Sequence, residues 1–95
     1  MPRIEGLSWN ESTEDEIAAH GVTLDEVWEA VQNRRHTRKN RGYLLVLGQT
    51  DAGRYLLVVL DDEGDGNWYI VTSRPATPSE KKLLKRQSTA SGSTI

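Results

Sequence analysis

Residues 43–74 constrain the fold of this chain more than any other stretch. They contain three runs rich in leucine, valine and aromatic side chains, at 43–50, 54–60 and 68–74, separated by turn-forming residues. Such a series predicts an antiparallel meander of three strands. In the first two runs successive side chains are apolar instead of alternating with polar ones. This pattern predicts strands that are covered on both faces, or a strongly curled sheet.

Threonine–glutamate pairs at capping-box spacing predict where the helices begin. The pairs are Thr13–Glu16, Thr23–Glu26 and Thr77–Glu80. They predict helices over 12–20, from residue 23 onward, and over 78–87. The second helix carries an apolar stripe at i, i+3, i+4 and i+7 spacing, formed by Leu24, Val27, Trp28 and Val31. Trp28 is therefore predicted to lie in the core.

These elements together predict an α+β domain. Two N-terminal helices and a C-terminal helix are expected to pack on a mostly antiparallel, curled sheet of three to four strands. Residues 6–10 and 36–41 are each either an edge strand or a loop. Residues 1–87 are expected to form one domain, and the Ser/Thr-rich residues 88–95 a disordered tail.

The composition points to a cytoplasmic protein that does not enter membranes. The chain has no cysteine, so it has neither disulfides nor thiolate zinc sites. It has no apolar run close to the roughly 20 residues of a membrane span. The acidic stretch 61–65 lacks the spacing of a calcium-binding loop, and neither a metal nor another cofactor is expected.

The formal net charge of −2 conceals a segregation of charge along the chain. Residues 1–31 carry eight acidic side chains and one basic one, whereas residues 32–60 carry six basic side chains and one acidic one. The basic middle third is suited to attract a polyanion or an acidic protein. The acidic first third would repel nucleic acid.

Two arginines stand at the ends of adjacent predicted strands. Arg54 begins the second run and Arg74 ends the third. The two runs are predicted to pair with Asp61 opposite Trp68, so that Arg74 lies opposite Tyr55. Both arginines would then lie at one corner of the sheet, where they would bind an anion such as an RNA phosphate. They would share a face only if the register shifts by one residue or contains a bulge. The alternative is that both are surface arginines paired with Glu or Asp.

His20 and a basic cluster are the remaining candidates for a functional site. Histidine is the side chain that exchanges protons near neutral pH, so His20 is a candidate acid or base. The alternative for His20 is a helix-end histidine that interacts with the helix dipole. Arg38, Lys39 and Arg41 are suited to contact an RNA backbone, and Tyr55 offers a ring for base stacking. The alternatives are that these residues form a solvated loop or dock an acidic protein.

Four short motifs resemble the BrnT family of bacterial toxins, which are small RelE-like ribonucleases of type II toxin–antitoxin systems. The motifs are LSWN at 7–10, IAAHGV at 17–22, GQTDAGRYLLVV at 48–59 and VTSRPAT at 71–77, and a charged final helix follows them. The resemblance extends over about residues 7–87. This sequence departs from the family pattern at Ala19, where the family has a basic residue, and at Asn10, where it has an aspartate.

The resemblance implies a RelE-like fold and metal-independent cleavage of RNA by attack of the 2′-hydroxyl. It implies His20, Arg54 and Arg74 as catalytic residues, and Arg41 as the basic residue before the first long strand. The implied partner is a BrnA-like antitoxin with a DNA-binding domain, which forms a hetero-oligomer with the toxin and masks its active face. Because Ala19 removes a cation, a non-catalytic RNA- or protein-binding module of the same fold remains the alternative.

Overall fold

The computed structural model describes residues 3–84 of the chain. In chain order the elements are β1 (Gly6–Ser8), α1 (Glu11–Ala19), α2 (Leu24–Gln32), β2 (Arg34–Asn40), β3 (Tyr43–Gln49), β4 (Tyr55–Gly64) and β5 (Asn67–Pro75). A third helix, α3, begins at residue 78 and is described as far as residue 84. The predicted end of this helix at 87 and the predicted tail at 88–95 lie outside the described residues. No helix within residues 3–84 combines the length and apolar character needed to cross a bilayer.

The strands form one open, five-stranded sheet in the order β1-β5-β4-β3-β2. β1 pairs with β5 in parallel, and all other neighbouring strands are antiparallel. The predicted α+β class, with helices on a mostly antiparallel sheet, is confirmed. The sheet has more strands than predicted because both ambiguous segments join it, residues 6–8 as β1 at one edge and residues 34–40 as β2 at the other.

Both faces of the central strands are buried, as the continuous apolar runs predicted. Side chains at even positions of β3 and β4, among them Leu44, Val46 and Leu56, pack in a core with α1 and α2. On the opposite face, Leu47 and Leu57 pack with Ala76 and Leu84. The sheet therefore separates a face covered by α1 and α2, the α1–α2 face, from a face covered by α3, the α3 face.

Two of the three predicted helix starts are confirmed. Reciprocal bonds join Thr23 to Glu26 at α2 and Thr77 to Glu80 at α3. α1 instead begins after Asn10, whose side chain accepts a hydrogen bond from the Thr13 backbone N–H at 2.9 Å. Asn10 is as good a cap as threonine, and using it lengthens α1 at its N-terminal end.

Residues 61–67, which the sequence predicted to be a turn segment between the second and third runs, belong mostly to strands. β4 continues through the acidic residues to Gly64, and only Asp65 and Gly66 separate it from β5. Both turn residues have positive φ angles, 56° and 81°, as a two-residue hairpin requires. The Asp-Gly pair supplies this turn, and the exposed acidic side chains before it belong to strand β4.

The predicted pairing of β4 with β5 is also wrong. Asp61 lies opposite Tyr69 instead of Trp68, and Arg74 lies opposite Leu57 instead of Tyr55. The register shifts between Val59 and Leu60, within a ladder that is longer than the sequence predicted. Leu57 and Tyr55 lie two residues apart on β4 and share a face, so Arg74 keeps the face that the predicted pairing gave it, opposite that of Arg54.

Substitution of Gly48 by alanine should destabilise the fold strongly. A Cβ atom at Gly48 would overlap the carbonyl oxygen of Ala30 in α2, which is backbone and cannot rotate away. We expect a loss of about 3 kcal/mol in the free energy of unfolding, measured by urea denaturation. Gly6→Ala is the matched control, because its Cβ would meet only the movable side chain of Asn67. Equal unfolding midpoints for the two variants would contradict the close approach of α2 to β3.

Candidate functional site

Arg54 fixes the turn between α1 and α2 to the sheet. Its backbone N–H donates to the Thr50 hydroxyl at 3.0 Å at the start of β4. Its guanidinium Nη1 donates to the Gly21 carbonyl oxygen at 2.7 Å. The same nitrogen lies 3.3 and 3.2 Å from the two carboxylate oxygens of Glu26 on α2. Arg54 therefore lies on the α1–α2 face and is already bound to an anion of the protein.

His20 lies at the same corner as Arg54. It is the C-cap residue of α1, and it is exposed. It directly precedes Gly21, whose carbonyl oxygen accepts the hydrogen bond from Arg54. The fold thus places two of the three predicted catalytic residues at neighbouring positions, and the carboxylate of Glu26, which was not predicted as a site residue, is bound to Arg54.

Arg74 forms a second, separate ion pair on the α3 face. Its two terminal guanidinium nitrogens donate to the two carboxylate oxygens of Glu80 at 2.9 and 3.0 Å, a bidentate pair. Nη1 also donates to the Pro75 carbonyl oxygen at 3.1 Å. Because opposed residues of an antiparallel pair share a face, Arg74 lies on the same side as Leu57.

The sheet therefore separates the two arginines that were predicted to share an anion site. Arg54 interacts with the start of α2 on one face, and Arg74 with the start of α3 on the other. The two arginines were predicted to share a face only after a one-residue shift or a bulge, and the observed pairing of Arg74 with Leu57 keeps them on opposite faces. Catalytic roles for His20, Arg54 and Arg74 remain predictions, but His20 and Arg54 cannot act on the same phosphate as Arg74 in this arrangement.

The two glutamates occupy equivalent positions in their helices. Glu26 and Glu80 are each the third helical residue of a capping box, and each accepts a hydrogen bond from the backbone N–H of the cap residue, Thr23 or Thr77. The sequence contained both boxes, which predicted the helix starts. It gave no indication that each carboxylate would also bind an arginine from the sheet.

Hydrogen bonds and charge keep both glutamates ionised. Burial raises the pKa of Glu26, but the hydrogen bond from the Thr23 backbone, together with the hydrogen bond and charge of Arg54, outweighs it and lowers the pKa below the ordinary 4.5. Burial likewise raises the pKa of Glu80, and the hydrogen bonds from Arg74 and Thr77 with the charge of Arg74 lower it below 4.5. In turn, hydrogen bonding to Glu80 raises the pKa of Arg74 against the opposing effect of burial.

The α3 face holds a small pocket beside the Arg74–Glu80 pair. Its volume is about 80 Å³, and it is lined by His36, Arg38, Leu45, Leu47, Leu57, Glu80 and Leu83. Tyr55 packs against the apolar cluster beneath it. His36 was not among the predicted site residues, although its position two residues before Arg38 on a strand places both side chains on one face.

The predicted RNA-binding residues divide between the two faces. Arg38 lies opposite Leu45 and so faces α3, whereas Lys39 lies opposite Leu44 and belongs to the α1–α2 face. Arg41 is exposed in the turn between β2 and β3, with a φ of 53°. Arg38 and Tyr55 are therefore the two that share the face of Arg74. Across residues 3–84, no group of three or more histidine, aspartate or glutamate side chains is arranged to hold a metal ion.

Removing the charge of Glu26 or Glu80 should destabilise the protein near neutral pH but not in acid. Glutamine still serves as the capping residue, so Glu26→Gln and Glu80→Gln remove the ion pair and keep the cap. We expect each to lower the free energy of unfolding at pH 7 by up to about 1 kcal/mol. A carboxyl whose pKa is lower in the folded state than in the unfolded state stabilises the fold at pH values above its unfolded-state pKa. This stabilisation is lost as pH falls through the folded-state pKa. The difference from the parent should therefore shrink as pH falls below 4.5 and vanish once pH is below the lowered pKa of the folded state.

The measurement is urea denaturation of the parent and the two variants between pH 3 and pH 7. Glu16→Gln is the control, since Glu16 is an exposed glutamate of α1. A deficit in the two variants that stays constant down to pH 3 would show that the ion pairs are not its cause.

The fold of this chain is similar to that of a solved protein structure, whereas searches by sequence find no match. No protein-family model matches the chain, and no curated protein sequence matches it. A crystal structure of the ribonuclease toxin BrnT from Brucella abortus superposes on it with a TM-score of 0.63 at 19% sequence identity. The match covers 76% of this chain and 96% of the BrnT chain. The resemblance to BrnT that the sequence motifs indicated is confirmed at the level of the fold, and the α+β architecture of this chain is similar to that of BrnT.

Proposed function

We propose that this chain is the toxin of a type II toxin–antitoxin system and a metal-independent endoribonuclease. The fold that it shares with almost the whole of BrnT, a ribonuclease toxin, carries the proposal. The four BrnT-like motifs follow the order of the family pattern, and they lie at β1, at the end of α1, from the end of β3 into β4, and on β5. The proposed site of action is the cytoplasm, where RNA is the substrate.

The proposed reaction centre lies on the α3 face. Attack of a 2′-hydroxyl on the adjacent phosphate needs a base for the hydroxyl proton, an acid for the leaving 5′-oxygen, and cations around the phosphorane. Arg74 binds a phosphate with the same bidentate geometry that it now uses for Glu80. Arg38 and His36 line the adjoining pocket, where a guanidinium contacts the RNA backbone and an imidazole transfers a proton. Tyr55 lies on the same face, and its ring is suited to stacking on a base.

The corner formed by His20, Arg54 and Glu26 is the alternative reaction centre. It contains an imidazole, a guanidinium and a carboxylate, which are the groups that the reaction requires. Against it, Arg54 also holds the Gly21 carbonyl oxygen, so it would have to leave a backbone contact to bind a phosphate. The corner also lies beside the acidic helices α1 and α2, which repel RNA.

The proposed partner is a BrnA-like antitoxin with a DNA-binding domain, which forms a hetero-oligomer with this chain. The family resemblance is the basis of this proposal. An antitoxin that covers the α3 face would prevent RNA from reaching Arg74. The DNA-binding domain would let the complex repress transcription.

A non-catalytic RNA- or protein-binding module is the second candidate function. The observation that favours it is that both arginines are already neutralised by glutamates. Ala19, where the family has a basic residue, removes a further cation from the His20 corner. Such a module would bind RNA through the basic residues of β2 without cleaving it.

Incubation of the purified chain with a defined RNA in EDTA tests the proposed reaction. We expect cleavage that leaves 2′,3′-cyclic phosphate ends, because the 2′-hydroxyl is the nucleophile. Arg74→Ala and His36→Ala should each lower the rate by about 10²-fold. Lys82→Ala, an exposed lysine of α3, should retain the rate of the parent.

His20→Ala and Arg54→Ala decide between the two reaction centres. If they lose activity while Arg74→Ala retains it, the α1–α2 corner is the centre. Absence of cleavage both on free RNA and on translating ribosomes, with RNA binding retained, would refute the enzyme and favour the binding module. Circular dichroism shows whether each variant still folds.

Glu80→Gln should strengthen RNA binding. It removes the carboxylate that competes with phosphate for Arg74, and it keeps the helix cap. We expect the affinity for a single-stranded RNA to rise by roughly 2- to 5-fold, as befits a partly exposed ion pair. The slope of log K against log salt should steepen by about 0.7 if one more phosphate is contacted.

Glu26→Gln is the matched control for this measurement, because it makes the same change in net charge on the other face. If the phosphate binds at Arg74 on the α3 face, the RNA affinity of Glu26→Gln should stay close to that of the parent. A gain in Glu26→Gln alone would place the phosphate at Arg54, and equal gains in both variants would indicate a non-specific effect of charge.

A further inference from the structure

Two of the three tryptophans are exposed on one side of the molecule. Trp9 is 45% exposed and Trp28 is 40% exposed, whereas Trp68 is 5% exposed in the core. The prediction that Trp28 lies in the core is wrong. The buried side of α2 consists of Val27, Ala30 and Val31, and Trp28 lies at the edge of that surface.

The two indoles border a single groove. Its volume is about 280 Å³, and it is lined by Gly6, Leu7, Trp9, Leu24, Asp25, Trp28 and Ile70. Leu24 and Trp28 occupy successive turns of α2, so they present one continuous apolar strip. The strip continues onto Leu7 and Trp9 at the end of the edge strand β1. Exposed apolar surface with a polar rim marks interaction sites, and tryptophan is among the residues most enriched at binding hot spots.

The charge around this groove is acidic. Asp25 lines it directly, and Glu11 begins α1 two residues after Trp9. Residues 1–31, which include both helices of this face, carry eight acidic side chains and one basic one. RNA would be repelled here, whereas a positively charged peptide would be attracted.

The shape and the charge together identify the occupant. A groove with apolar side chains one helical turn apart is suited to an amphipathic helix that inserts its own apolar residues at i and i+3 or i+4. A second copy of this chain does not fit as well. Within residues 3–84 the longest basic stretch is β2, an extended segment without apolar anchors. The helix that carries Lys81 and Lys82 already uses Leu84 to pack on its own sheet.

We propose that the Trp9–Trp28 groove binds a basic amphipathic helix of a partner protein. Leu24 and Ile70 belong to or pack against the core of the α1–α2 face, so the groove lies on the opposite side of the sheet from Arg74. A partner bound here leaves the α3 face accessible. The proposal is therefore independent of the proposed nuclease and holds equally for a binding module.

Two designed, tryptophan-free helical peptides test the proposal. Both carry leucines at i and i+4 on one face, and the remaining positions are lysine and arginine in one peptide and glutamate in the other. Binding to the full chain is followed by NMR of the tryptophan indole N–H groups. We expect the basic peptide to shift the Trp9 and Trp28 signals and to leave Trp68 unchanged, because the Trp68 indole N–H donates to the Arg3 carbonyl oxygen at 2.9 Å inside the fold.

Variants of the groove distinguish this site from general attraction to an acidic protein. Trp28→Ala and Trp9→Ala should each weaken binding of the basic peptide by about 10-fold or more. Asp25→Lys should weaken it while preserving the apolar strip. Tyr43→Ala is the control, because Tyr43 is a comparably exposed aromatic residue, at 42%, on β3.

The outcomes are separable. Loss of binding in the groove variants with retention in Tyr43→Ala supports the proposal. It is overturned if the basic peptide does not bind, or if it binds equally well to Trp28→Ala and Asp25→Lys. Self-association of the parent that disappears in Trp28→Ala would identify a second copy of the chain as the occupant and would also overturn it.

Discussion

The close approach of α2 to β3 at Gly48 determines the arrangement of the α1–α2 face. Because Gly48 has no side chain, the backbone of α2 at Ala30 lies directly against the strand. From this position Val27 and Val31 fill the core, and Glu26 reaches Arg54 at the start of β4. The same rotation of the helix leaves Trp28 at its outer edge. One glycine thereby fixes both an ion pair and an exposed indole.

The two arginine–glutamate pairs have the same hydrogen-bonding arrangement on opposite faces of the sheet. In each, a glutamate in the first turn of a helix accepts hydrogen bonds from its capping residue and from an arginine of the sheet. The carboxylate fixes the beginning of the helix and orients the guanidinium at the same time. On the α3 face, this keeps Arg74 oriented beside the pocket that holds Arg38 and His36. Preorganised cations of this kind are what a phosphate-binding site requires, and the bound carboxylate is what a phosphate must displace.

The sequence was sufficient to predict features that depend on local chemistry. The apolar runs at 43–50 and 54–60 predicted the central strands, and the capping pairs Thr23–Glu26 and Thr77–Glu80 predicted two helix starts. Features set by tertiary pairing were not predictable in this way. The strand register depended on the position of the β4–β5 turn, and the Asp-Gly turn at 65–66 changed the residue opposite Arg74 from Tyr55 to Leu57, which leaves Arg74 on the opposite face from Arg54. Whether Trp28 is buried depends on the rotation of α2 about its own axis. An apolar stripe alone specifies that rotation only to within about one residue. The candidate site was therefore predicted as a list of residues but not as one assembly.

The basic composition of strand β2 affects whether copies of this protein can associate edge to edge. Four of its seven residues are arginine or lysine, and it is the outermost strand on its side of the sheet. Two sheets that joined edge to edge through β2 would bring these cations against each other, and like charges directly opposite are destabilising. Cationic edge strands are a common protection against aggregation. The residues that make this strand suitable for a polyanion thus also oppose its extension into a fibre by addition of identical strands.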